Sequence, residues 1–191
     1  MIAGATAELR SSPFRHTTRA NLVCDEAADA LLSWCETGAP WKLRIASFYE
    51  QWELHLDNKA LPPHLQAVVS DETVDHLTEV MLEPIIQKPL KLVEVTAHKL
   101  VPGQTIGIHN DYIGGEETHR LLVQLNRGWD VQDGGVLLLF GSAQPGDICR
   151  AVKPSHRSGF AFEISPNSFH AVSRMVSGER YTLVYSFRAV A

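Results

Sequence analysis

Cysteine is scarce in this chain. Three residues in 191 (Cys24, Cys35 and Cys149) are too few and too scattered for a disulfide framework or a thiolate metal site. Long apolar runs are missing too, and no stretch approaches the roughly 20 residues of a membrane span. The opening segment, MIAGATAELRSSPFRHTTR, lacks the apolar h-region of a secretory signal. Nor is there an excess of basic residues. Residues 1–90 carry 7 Lys and Arg against 13 Asp and Glu, and residues 91–191 carry 10 against 9, giving −5 overall. Neither half has the basic stripe that phosphate backbones demand, which argues against nucleic acid as a partner. The expected setting is the reducing cytoplasm, without a membrane. What is present suffices for a real core: 45% apolar and 20% charged residues, at a length that suits one domain, 1–191.

The two halves differ in pattern. In DEAADALLSWCE (25–36), Ala28, Leu31, Leu32 and Cys35 recur at helical spacing, with Asp25 and Glu26 in the first turn and Gly38 as a stop. A second helix is expected over 63–83, opened by Pro62 and Pro63 and ended by Pro84. Ile45 to Leu56 reads equally as strand or irregular chain. Residues 1–90 are thus expected to form a helix-rich support. From Lys91 the rhythm changes to eight short β-like runs: 92–101, 105–109, 119–126, 135–140, 147–152, 159–164, 169–176 and 180–187. Turns such as Asp133-Gly134-Gly135 and Pro145-Gly146-Asp147 separate them. Eight evenly spaced strands predict a mainly β, jelly-roll core over 91–191, buttressed by the N-terminal helices. On its strand, Cys149 reads as a small buried hydrophobe.

The chemistry concentrates in His109-Asn110-Asp111, His170 and Arg180. Side chains alternate along a strand, so the outer two residues of a His-x-Asp triplet project to one side. A distant His on a facing strand completes two imidazoles and a carboxylate on one face of a metal, the non-haem Fe(II) facial triad. Arg180 opens the next strand ten residues after His170, and its planar fork suits a carboxylate. Together these point to iron, a dicarboxylic 2-oxoacid and O2. The triplet alone decides little, because nine His and nine Asp supply roughly 0.4 such triplets by chance. A second one, His55-Leu56-Asp57, precedes the Pro-capped helix and has no strand ladder after it, so it reads as a decoy.

In order along the chain come HND (109–111), LN (125–126), Trp129, DGG (133–135), VKP (152–154), FAF (160–162), HAV (170–172) and GERYTLVYSF (178–187). From about Leu92 to Phe187 this pattern resembles the 2-oxoglutarate/Fe(II)-dependent dioxygenases, nearest to their prolyl-hydroxylase-like branch. The resemblance implies a double-stranded β-helix, with His109, Asp111 and His170 as metal ligands. It implies Arg180 as the partner of the distal 2-oxoglutarate carboxylate, with Thr182 beside it. Gln124 falls where this branch often has a Tyr or polar contact to the cosubstrate. Gln124 reads equally as a residue hydrogen-bonded to an adjacent strand. Fe(II), 2-oxoglutarate and O2 follow as cofactors, with ascorbate as an auxiliary reductant.

The implied reaction is hydroxylation of an unactivated C–H bond in a peptide, protein or small molecule, most simply a proline, with succinate and CO2 released. Two other readings stay open: a natural-product oxygenase, and a non-catalytic cupin-like module, which would have no need of Arg180. Trp34, Trp41 and Trp52 read as core or rim; His98 and His119 read as satisfied or surface histidines, with lining of the pocket as the alternative for each. The glycines of YIGGEETH (112–119) would permit a lid at the pocket mouth.

Overall fold

Short strands with alternating apolar side chains pair into two antiparallel sheets. The computed structural model describes residues 7–190. Its strands are β1 (Glu8–Arg10), β2 (His16–Arg19), β3 (Lys42–Ile45), β4 (Glu50–His55), β5 (Leu90–Leu100), β6 (Ile106–His109), β7 (His119–Gln124), β8 (Leu137–Phe140), β9 (Ile148–Val152), β10 (Gly159–Glu163), β11 (His170–Val172) and β12 (Arg180–Ala189). The larger sheet has the order β1-β2-β10-β7-β12-β5-β4-β3, and the smaller β6-β11-β8-β9. From β5 onward the chain passes back and forth between the two sheets, which makes the double-stranded β-helix.

Two apolar layers hold this together. Between the sheets, Leu100, Leu122, Phe160, Phe162 and Val184 of the larger one meet Leu137, Leu139 and Val172 of the smaller. Behind the larger sheet, alternate residues Leu121, Val123, Leu183 and Tyr185 meet helix α1 (Asp25–Thr37) and the segment around Met81 and Leu82. Period-two alternation therefore sends one set of side chains toward the cavity side and the other toward the helices.

Three expectations need correction. The helix over 63–83 is three pieces: a 3-10 turn (Pro63–Val69), helix α2 (Asp71–Leu77) and a π turn (Thr78–Leu82). Ser70 makes the break: it is extended at φ −71° and ψ 149°, and its hydroxyl accepts from the Thr73 amide as the cap of α2. The N-terminal support also contains strands. Segment 42–55 is the β3–β4 hairpin, which joins β5, while β2 pairs with β10 at the other end of the sheet. Cys149 is exposed, because β9 is an edge strand. Among the described residues no helix is long and apolar enough to cross a membrane.

Candidate metal centre and its cavity

Strands β6 and β11 are neighbours in the smaller sheet, and their register sets His109 opposite His170. Each imidazole is fixed in the same way. Nδ1 of His109 donates to the Gly107 carbonyl at 2.9 Å, and Nδ1 of His170 to the Ser168 carbonyl at 2.8 Å. Each ring thus carries its proton on Nδ1 and turns the lone pair of Nε2 inward. Beyond β6 the chain turns sharply, with Asp111 at φ +60°. Asn110 holds that turn: its amide donates to the Pro166 carbonyl, its side-chain oxygen accepts from the Tyr112 amide, and its own carbonyl accepts from Ser168.

The result is a cluster in which one ligand atom each from His109, Asp111 and His170 lies within 4.8 Å of the others. His109 Nε2 stands 3.4 Å from Asp111 Oδ1, and His170 Nε2 stands 3.2 Å from Oδ2. With both protons on Nδ1, no hydrogen bridges these gaps, and three electron-pair donors face one point. A cation there turns repulsion into coordination, so the residues fit a divalent metal. Burial pushes the Asp111 carboxyl up, yet the Arg120 charge beside it holds it well below the ordinary range. Burial lowers His170, which favours its neutral imidazole.

These groups open on a cavity of about 410 Å³ between the sheets. Arg180 stands in its wall at the start of β12, 3% exposed. Burial lowers its guanidinium to about 10, which still leaves it charged at neutral pH. Among the described residues no carboxylate lies within ion-pairing distance of it, and its Nε has no hydrogen-bond partner. A buried cation without a counter-charge beside an open cavity is chemistry that fits an anionic ligand.

Thr182, two residues on, also lines the cavity, and its hydroxyl donates to Gln124 Oε1 at 2.9 Å. Gln124 is buried and faces a second hollow with Arg19 and Pro154, so it meets the main cavity only through Thr182.

Other residues also line the cavity, of which sequence reasoning missed Phe48 and left His98 as an alternative. Burial, reinforced by the charges of Arg120 and Arg180, pushes His98 down to about 3, so it stands in the wall as a neutral imidazole. Phe48, from the turn of the β3–β4 hairpin, lays its ring on His109 with centroids 4.8 Å apart. Arg120 sits beside Asp111. Its signal was the shared face of alternate residues Arg120, Leu122 and Gln124 on β7. The decoy triplet runs from the end of β4 into a turn: exposed His55 pairs with Glu94, and Asp57 accepts from the Lys59 and Ala60 amides. His119 is buried on β7.

Residues 95–187 match the family model of the 2OG-Fe(II) oxygenase superfamily. Prolyl 3-hydroxylase OGFOD1 of Xenopus laevis is 31% identical over 116 residues, which are 59% of this chain and 21% of that protein. The matched region thus spans about a fifth of that relative's length. Among solved structures, a Pseudomonas putida prolyl-4-hydroxylase superimposes with a TM-score of 0.71 at 17% identity, covering 92% of each chain. A prolyl hydroxylase from Trichoplax adhaerens, in complex with a hypoxia inducible factor oxygen degradation domain peptide fragment, gives 0.69 at 11% identity, covering 91% of this chain and 83% of that one. At these identities the likeness is one of fold.

Proposed function

We propose that this chain, which belongs to the 2OG-Fe(II) oxygenase superfamily, hydroxylates a prolyl residue in a peptide or protein. The observation that carries the reading is the pairing of two features in one cavity. Three unprotonated ligand atoms converge at His109, Asp111 and His170, and the unpaired guanidinium of Arg180 stands in the same wall. Fe(II) with 2-oxoglutarate and O2 supplies the oxidation of an unactivated C–H bond, the 2-oxoacid leaving as succinate and CO2.

The chain's own residues do the holding and the shaping. His109, Asp111 and His170 would hold the metal, which would bind cosubstrate and oxygen at the positions these three do not fill. Arg180 takes the distal carboxylate of 2-oxoglutarate through its fork. The Thr182 hydroxyl exchanges Gln124 for the same carboxylate, and Gln124 serves as its acceptor while the site is empty of cosubstrate. Leu122, Leu137, Phe162, Val172 and Val184 furnish an apolar lining that keeps water from the reacting centre. A peptide substrate is supported by the relatives, which carry the names of prolyl hydroxylases.

The test is anaerobic addition of Fe(II) and 2-oxoglutarate, read by the weak visible charge-transfer band of chelated cosubstrate. Oxygen and proline-containing peptides are then added, with succinate and peptide mass as readouts. The expected result is a band, succinate, and a peptide heavier by one oxygen atom. A protein that gives no band and no succinate is a binding module instead. One that oxidises a small molecule and no peptide has a different substrate class.

A further inference from the structure

Two arginines stand in the cavity, and their forks are used differently. Arg180 is open. Arg120 is engaged at both Nη atoms, although its Nε, like that of Arg180, has no hydrogen-bond partner: Nη1 lies 2.7 Å from Asp111 Oδ2, and Nη2 donates to Glu117 Oε2 at 2.6 Å. The contact to Asp111 is an ion pair set off the direction of a hydrogen bond, so Oδ2 has a counter-charge but no directed donor. Both ends of this network are largely enclosed, with side-chain exposures of 21% for Arg120 and 23% for Glu117.

Glu117 belongs to the loop 110–118 that joins β6 to β7 and carries the exposed Tyr112 and Ile113. The loop's two ends are pinned. Asn110 is tied to Pro166 and Ser168, and the Thr118 amide donates to the Phe187 carbonyl at 2.8 Å. Between them, Gly114 and Gly115 adopt positive φ, and nothing stands within 4 Å of where a Cβ would be at either. The interior of the loop is therefore held to the protein chiefly where Glu117 meets Arg120.

We propose that Arg120 is a positioning residue that couples the metal-ligating carboxylate of Asp111 to this loop. Asp111 occupies a left-handed conformation that a non-glycine residue adopts at a cost. The guanidinium restrains its carboxylate there, with the orienting effect that outer partners of metal ligands exert. The same guanidinium holds Glu117, so ordering at one carboxylate favours ordering at the other, and by reciprocity metal binding steadies the loop. The inference rests on the metal site proposed above.

The test uses Co(II) as the probe, with its affinity read by titration and the loop read by amide hydrogen exchange over 112–118. In the parent protein, Co(II) is expected to raise protection of the loop. R120A is expected to bind Co(II) at least about ten-fold more weakly and to lose that protection. R120K supplies the charge without the fork, so it is expected to recover most of the affinity and none of the loop protection. E117Q is expected to keep Co(II) affinity within a few-fold and to lose the protection. A folded R120A that binds Co(II) like the parent, or an R120K with a protected loop, overturns this inference alone. A parent protein that takes up no cation overturns the metal site as well.

Discussion

His109 and His170 are register partners on adjacent strands, and their ring centroids stand 4.2 Å apart. Both rings spend their Nδ1 protons on backbone carbonyls two residues earlier. That leaves an electron-rich pair which a divalent ion stabilises and which the metal-free protein tolerates at a cost. Metal is therefore expected to raise the melting temperature of the chelator-stripped protein. At a hundred-fold excess over Kd the gain is about 2.7 kcal/mol. H170A is expected to abolish the gain while keeping the fold, as thermal melts with and without Co(II) would show. A gain that survives in H170A would place the ion elsewhere.

Arg180 makes a paired prediction. Replacing it by Met removes the cation expected to grip the distal carboxylate, and 2-oxoglutarate affinity is expected to fall by about 2–4 kcal/mol. The same replacement removes a buried charge that has no counter-charge among the described residues. R180M without metal is thus expected to melt at a higher temperature than the parent. Calorimetric titration and a melting curve check the two signs. A weaker fold with unchanged affinity would make Arg180 a structural residue.

Much of this was legible in the sequence because it is local. The runs from 92 to 187 carry period-two alternation and turn residues, and all eight appear as strands with ends shifted by a few residues. His109, Asp111, His170 and Arg180 stood out through their spacing, although Asp111 lies past the end of β6 in a left-handed turn and reaches the cluster from there and not by strand alternation. What escaped depends on partners far along the chain. Strand β2 forms because β10 offers it an edge, and nothing in HTTR announces this. His98 read as a surface or satisfied residue because its row on the sheet, with Thr182 on one side and Glu53 on the other, exists only after β4, β5 and β12 have paired. Ser70 broke the long helix because a serine can cap as readily as continue, and apolar spacing does not separate those outcomes.

Acid is expected to weaken the metal-free fold from about pH 6.5 downward. Burial pushes His119 down to about 4, whereas the unfolded chain titrates it near 6.5. Between those values the unfolded state holds a proton that the folded state refuses, so stability falls as pH falls and levels off below about 4. His98, pushed down to about 3, acts in the same direction and extends the decline. Urea unfolding in chelator across this range should show the slope, and H119Q should flatten its upper part. An identical slope in H119Q would assign the titration to other groups.

The backbone of Gly135 packs directly beside Arg180. It has φ +61°, and a Cβ there would lie 2.5 Å from Met175 Sδ and 3.0 Å from both Arg180 Cδ and Trp129 Cζ2. The sulfur can move, but the arginine stem and the indole are packed, and the left-handed backbone adds about 1–2 kcal/mol for any side chain. G135A is therefore expected to destabilise the fold by about 1–3 kcal/mol. Because the methyl group presses on the stem of Arg180 and not on the histidines, 2-oxoglutarate affinity is expected to drop while Co(II) affinity holds. Titrating both ligands into G135A separates the two effects. Equal losses for metal and cosubstrate would mean that the strain spreads through the whole core instead of reaching the cavity through Arg180.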